Sequence, residues 1–117
     1  MIDSIGPTLS ALDGFRKKMD VTADNIANVN TDGFKKKRLT FQEEDQGGVQ
    51  PVVEQVNTPG VIKEAIRNGQ VTEVESSNVD LTEELPEMII TRSAYSANLK
   101  TLKTKDDMTG TVLDILS

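Results

Sequence analysis

Two apolar stripes of the same kind stand at opposite ends of the chain. Near the amino terminus Ile2, Ile5, Leu9, Leu12, Met19, Ala23 and Ile26 recur in alternating steps of three and four, with Arg16 filling one slot. This heptad spacing belongs to a helix that offers one narrow seam to a partner helix, and it predicts a helix from about Ser4 to Asn28. Ser4 is placed to cap it, and Pro7 falls in the first turn, where a missing amide costs least. Gly6, Thr22 and Asn25 lower the intrinsic propensity, so packing decides whether this helix is stable.

The distal end carries the longer stripe: Leu81, Leu85, Met88, Tyr95, Leu99, Leu102, Thr109, Leu113 and Leu116, with Arg92 and Asp106 in the same register. It predicts a helix from about Asp80 to Leu116, roughly 55 Å long at 1.5 Å per residue, unless Pro86 or Gly110 breaks it. Asp80 is the expected cap, and Glu83 follows at capping-box spacing.

Between the stripes, Asn28-Val29-Asn30-Thr31-Asp32-Gly33 stops the first helix, because short polar side chains compete for backbone hydrogen bonds and Gly33 tolerates a left-handed turn. Arg38 to Phe41 alternates briefly like a strand, and Pro51 to Val56 reads as an edge strand. Glu43 to Gln50, with its charges and Gly47-Gly48, reads as a flexible loop. Val61 to Ile66 and Val71 to Glu75 flank Asn68-Gly69, a strong hairpin signal. The expected organisation is an amino-terminal helix over 1–30, a turn and flexible loop over 31–60, a β-hairpin over 61–75 and a carboxy-terminal helix over 76–117. The fold class is mainly α with a small β element. The terminal helices form an antiparallel coiled-coil-like pair joined by a short central β-hairpin region. The expected seam is Ile5, Leu9, Leu12, Met19, Ala23 and Ile26 against Leu85, Leu99, Leu102, Leu113 and Leu116, and an Arg16–Asp106 ion pair follows from that register. The same seams can also pair between subunits.

Composition removes most chemistry. The chain has no cysteine and no histidine, which excludes disulfides, thiolate and imidazole catalysis and Cys/His zinc sites. Ser93 and Ser96 therefore lack the base of a hydrolase triad, and Tyr95 reads as a packing residue. Glu83/Glu87 and Glu43/Glu44/Asp45 match no complete metal loop, and no glycine pattern cradles a phosphate. We expect no enzyme activity, no cofactor and no metal. Nineteen acidic against thirteen basic residues give a net charge of −6, which argues against nucleic acid as a partner. The Lys35-Lys36-Lys37-Arg38 run is followed by acidic residues and reads as a solvated or protein-contacting patch. No apolar stretch approaches the roughly 20 residues that span a bilayer, so no membrane insertion is expected.

Both ends also carry motifs. The segment from Ser10 to Lys35 contains Asn25-Ile26-Ala27-Asn28, then Thr31, Gly33 and Phe34. It resembles the amino-terminal signature of the bacterial flagellar axial proteins of the basal-body rod and hook family. The segment from Glu75 to Asn98 is similar to that family's carboxy-terminal signature, with Ser77-Asn78-Val79, Met88-Ile89 and Arg92, Tyr95 and Asn98 in order. The short centre is closest in size to the small proximal-rod proteins. The resemblance implies a structural subunit exported by the flagellar secretion apparatus without a cleaved signal, then polymerised in the periplasmic rod of the basal body to transmit torque. Its implied partners are copies of itself, other flagellar rod proteins and the flagellar export apparatus, and the motif residues become assembly positions. The alternative reading is a coiled-coil interaction module or accessory paralogue outside the rod.

Overall fold

The computed structural model describes residues 5–116, with the side chain of Ile5 excepted, so the expected cap Ser4 and the seam side chains of Ile2 and Ile5 lie outside the described residues. Helix α1 runs Ile5–Ala27 and helix α2 runs Leu81–Leu116, and between them lie two antiparallel hairpins that form separate two-stranded sheets. The molecule is a rod of 79 × 26 × 21 Å.

The helices pair antiparallel. Three contacts fix their register: Lys105 Nζ donates to Thr8 Oγ1 at 2.9 Å, Lys18 meets Glu87 at 2.5 Å, and Asn25 Nδ2 donates to Glu84 Oε2 at 3.3 Å. Helix α2 passes through Pro86 and Gly110 without a break. Its start is capped by Asp80, whose Oδ1 accepts from both the Thr82 amide at 2.9 Å and the Thr82 hydroxyl at 2.7 Å. The expected capping box is not closed, because the Glu83 carboxylate turns to Lys36 Nζ at 3.2 Å.

The seam differs from the expected one in a regular way. In α1 the expected positions Leu12, Met19 and Ile26 are buried or half-buried, but Leu9, Arg16 and Ala23 are exposed and Thr8, Phe15 and Thr22 take their places. In α2, Met88, Tyr95, Leu102 and Thr109 turn inward, while Leu85, Arg92, Leu99 and Asp106 are exposed in favour of Glu84, Thr91, Asn98 and Lys105. Every second position thus moves back by one residue, a rotation of each helix by part of a turn. Leu113 and Leu116 are exposed as well. The physical reason is close approach: Thr8, Thr22, Thr91 and Asn25 are small or hydrogen-bonding, so the helices meet through them and leave the bulkier leucines outside. The expected Arg16–Asp106 pair is absent. Arg16 bonds Asp13 on its own helix at 2.9 Å, and Asp106 lies two turns away, beside the partner of Thr8.

The first hairpin, β1 (Lys37–Glu43) and β2 (Val49–Gln55), occupies most of the 31–60 segment. The expected turn and flexible loop there is therefore corrected, with the unpaired residues reduced to the tip and the flanks. Arg38 to Phe41 and Pro51 to Val56 are partners rather than isolated pieces, with Phe41 opposite Pro51. The hairpin packs on α1 through Leu39, which is buried, and Phe41, whose ring meets Phe15 edge-on at 5.4 Å. Gly14 makes room for it, since a Cβ there would fall 2.6 Å from the Phe41 ring. At the tip, the Ser10 hydroxyl donates to the Val49 carbonyl at 2.7 Å and accepts from the Val49 amide at 3.0 Å.

The second hairpin, β3 (Ile62–Arg67) and β4 (Gln70–Glu75), turns at Asn68-Gly69, whose φ angles of 53° and 77° are the left-handed pair that two-residue hairpins require. It packs on neither helix among the described residues.

Candidate assembly interface

The motif residues gather where α1 ends, α2 begins and both hairpins take root. Asn25, 1% exposed, acts as a peptide unit in side-chain form. Its Oδ1 accepts from the Lys37 amide at 3.0 Å and its Nδ2 donates to the Lys37 carbonyl at 2.8 Å. The first residue of β1 is thereby paired before any strand partner is counted, and Asn25 also reaches Glu84 at the start of α2. Asn78 does the same for the other side of the junction. Its Oδ1 accepts from the Lys36 amide at 2.7 Å, and its Nδ2 donates to the carbonyls of Val56 and Thr58, both at 2.9 Å.

The turn after α1 is tied by its own side chains. Asn28 Nδ2 donates to the Asp24 carbonyl at 2.8 Å, and the Thr31 hydroxyl donates to Asn28 Oδ1 at 3.0 Å. Gly33, at φ 73°, then points its amide at the Glu75 carbonyl at 2.8 Å, a direction that a residue with a Cβ adopts only with strain. The Asn78 amide donates to the Phe34 carbonyl at 3.3 Å, and the buried Ser77 hydroxyl accepts from the Val79 amide at 3.2 Å. Gly60 closes the root of the second hairpin, because a Cβ there would sit 1.9 Å from the Ser76 carbonyl oxygen.

Charges knit the same region. The three lysines of the basic run are paired with carboxylates from other elements: Lys35 with Glu75, Lys36 with Glu83 and, at 3.6 Å, Lys37 with Asp24. The Lys35 ammonium, with the Gly60 amide at 2.9 Å, holds the Glu75 carboxyl below its ordinary range. The Thr82 hydroxyl and amide do the same for Asp80. Between α1, β1 and the start of α2 lies a cleft of about 380 Å³. Its Glu83 and Glu87 carboxylates each hold a lysine, so both members of that pair are engaged in ion pairs.

The remaining motif and seam residues fall elsewhere. Ile26 and Val79 are half-buried beside the junction, Phe34 is half-buried within it, and Ala27 is exposed. Met88, Tyr95 and Asn98 line the inner face of α2, where Asn98 Nδ2 donates to the Ala94 carbonyl at 2.9 Å. Ile89 and Arg92 face outward. With Leu85, Ser96, Leu99 and Lys103 they form an exposed row in steps of four and three along α2. The junction's other partners, Glu75, Glu84 and Gly60, carry no sequence signal of their own. They become visible only once the fold brings them to the asparagines.

Two family models match opposite ends of the chain. One, described as flagellar basal body rod FlgEFG protein C-terminal, matches residues 72–115. The other, described as flagella basal body rod protein, matches residues 8–35. The chain belongs to the flagellar basal-body rod/hook protein family. Among curated proteins, the flagellar basal-body rod protein FlgG of Bacillus subtilis (strain 168) is 49% identical over 43 residues, 37% of this chain and 16% of that protein. The flagellar hook protein FlgE of Borreliella burgdorferi is 49% identical over 43 residues, 37% of this chain and 10% of that protein. FlgE of Treponema pallidum is 48% identical over 42 residues, 36% of this chain and 9% of that protein. The matched stretch spans about a sixth or less of the length of these curated relatives. The rod/hook family is structural and non-catalytic, so this chain is not an enzyme. No helix among its described residues is long and apolar enough to cross a membrane. The two rod/hook matches together contain every motif residue of the junction, Asn25 to Phe34 and Ser77 to Val79.

Proposed function

We propose that the chain is a structural subunit of the basal-body rod, exported and polymerised into the axial structure that transmits torque. The observation that carries this reading is the outward row of α2. The two helices bury a seam in which Thr8, Thr22, Asn25, Glu84 and Thr91 are mixed with apolar side chains, and leave Leu85, Ile89 and Leu99 in water at 49%, 66% and 43% exposure. Apolar surface of that length on a slender rod is what lateral neighbours would cover. Partners under this reading are copies of the chain, other flagellar rod proteins and the export apparatus, with the periplasmic rod as its place. The assembly positions are Ile89 and Arg92 on the outer row. Asn25, Asn28, Asn78 and the rest of the junction act by holding the helices and hairpins in one rigid body.

The test is fractionation of basal bodies from cells carrying the wild-type chain or Leu85→Asp/Leu99→Asp. The wild-type chain should be found in rods, and the double variant should fold yet fail to enter them and abolish swimming. Normal basal bodies and motility without the chain would overturn the reading and favour an accessory interaction module.

A further inference from the structure

The β3–β4 hairpin has two unlike faces. Lys63 and Arg67 lie on one, and both reach Asp32, at 2.9 and 3.7 Å, so that face is drawn onto the turn after α1. On the other, Ile62, Glu64 and Ile66 stand opposite Glu75, Glu73 and Val71. Ile62, Ile66 and Val71 are 63%, 77% and 65% exposed. Glu64 and Glu73 are directly paired like charges with no cation in reach among the described residues. Such a pair destabilises its own hairpin unless a positive group comes between the carboxylates. An apolar frame around an unneutralised acidic pair is therefore a face with a definite complement: apolar groups flanking a cation.

The outer row of α2 supplies that complement. Arg92 is exposed and makes no ion pair among the described residues, and the positions one turn away on either side are Met88, Ile89, Tyr95 and Ser96, none of them acidic. The lengths of the two surfaces agree as well. Ile62 and Ile66 are about 13 Å apart along their strand with Glu64 midway, and Ile89 and Leu99 are about 15 Å apart along α2 with Arg92 about 4.5 Å beyond Ile89, an offset that a long arginine side chain spans. The two surfaces do not touch within one chain, since among the described residues β3–β4 packs on neither helix.

We propose that the β3–β4 hairpin of one copy docks on the outer row of α2 of a second copy, with Arg92 seated between Glu64 and Glu73 and Ile62, Ile66 and Val71 against Ile89 and Leu99. The contact joins two different patches, so it is head-to-tail, and under the rod-subunit reading it repeats along an open helix rather than closing into a ring. It rests on the rod-subunit reading and specifies the lateral contact that reading requires.

The chain has no cysteine, so engineered thiols report without background. Cells make two differently tagged copies, one carrying Val71→Cys and the other Ile89→Cys, and mild oxidation is followed by immunoblotting of basal-body and soluble fractions. Mixed-tag dimers should exceed those of a Val71→Cys and Asp20→Cys control by about tenfold, Asp20 lying on the exposed side of α1. Glu64→Lys/Glu73→Lys on the first copy should reduce linkage to the control level, and Arg92→Glu on the second should restore it, with circular dichroism verifying that each variant folds. Linkage no higher than the control, or no rescue by Arg92→Glu, overturns the contact even if the chain is found in basal bodies. Linkage only in a soluble fraction, with the chain absent from basal bodies, keeps the contact and overturns the rod reading.

Discussion

The β1–β2 and β3–β4 hairpins have seven and six residues per strand and the same antiparallel pattern, yet among the described residues only the first packs on a helix. Leu39 and Phe41 give β1–β2 an apolar side, and Gly14 and Phe15 give α1 a matching hollow and ring. β3–β4 has Ile62, Ile66 and Val71, a comparable apolar content, but no helix faces it. A lone hairpin is marginal in water. This one is held at its root by backbone bonds from Gly33 to Glu75 and from Ser76 to Val61, by the Lys35–Glu75 pair and by the reach of Asp32 to Lys63 and Arg67. The difference separates two uses of the same motif: one hairpin completes the body, and the other is presented by it.

The largest effect should come from the residue that joins the packed hairpin to both helices. Asn25→Ala removes both bonds to Lys37 and the amide facing Glu84, leaving the part-buried Lys37 amide and carbonyl without their side-chain partner and a small cavity at a site 1% exposed, and should destabilise the chain by about 3 kcal/mol. Urea denaturation monitored by circular dichroism measures it. A loss below about 1 kcal/mol would mean that β1 is held by strand pairing alone.

A matched pair of truncations tests the contrast itself. Leu39→Ala should cost about 2 to 3 kcal/mol, because it empties a buried site between β1 and α1. Ile66→Ala, at a side chain 77% exposed, should stay within about 0.5 kcal/mol. Equal losses would erase the distinction between a packed and a presented hairpin.

Acid should separate the hairpins further. The Glu75 carboxyl lies below its ordinary value of 4.5, chiefly because of Lys35 and then the Gly60 amide. A depressed folded-state value means that its contribution is complete above the unfolded value and is lost as the pH falls through the folded one. Hydrogen exchange in β3–β4 should therefore accelerate, relative to intrinsic rates, on acidification below that range before exchange in β1–β2 does. Glu75→Gln should weaken that pH dependence. Acceleration of both hairpins together, unaltered in Glu75→Gln, would count against the ion pair as the tie.

The helices and the Asn68-Gly69 hairpin were legible because each rests on local signals: apolar recurrence, a capping aspartate and a turn that needs left-handed residues. Which side of each helix faces its partner was not. Periodicity identifies residues that share a face, but Leu9, Leu85 and Leu99 share theirs with water, while Thr8, Thr22, Asn25 and Thr91 meet inside. In a chain with more apolar rows than one partner helix can cover, the choice between rows depends on close approach and hydrogen bonding. Neither raises a hydrophobic signal. The β1–β2 pairing was hidden for a related reason: the charged residues and glycines of 43–48 look like a break, although they form only the tip. Asn25 and Asn78 stood out through the family resemblance, and their work as backbone mimics depends on partners far along the chain.

Thr91 offers the smallest and most selective probe. Its hydroxyl is buried, the residue is 1% exposed, and the oxygen has no hydrogen-bond partner among the described residues, whereas Thr101, Thr104, Thr109 and Thr111 donate to the carbonyl four residues back. Valine has nearly the same shape without the unpaired oxygen, so Thr91→Val should raise stability by about 1 kcal/mol or less. The gain strengthens the helix pair on which β1–β2 rests, and amides that exchange only through global opening should slow with it. β3–β4 is expected to open from its root without unpairing the helices, so its exchange should not change. A slowing of both hairpins by the same factor would show that β3–β4 opens only when the whole chain unfolds, and the division between a built-in hairpin and a presented one would then have no dynamic counterpart.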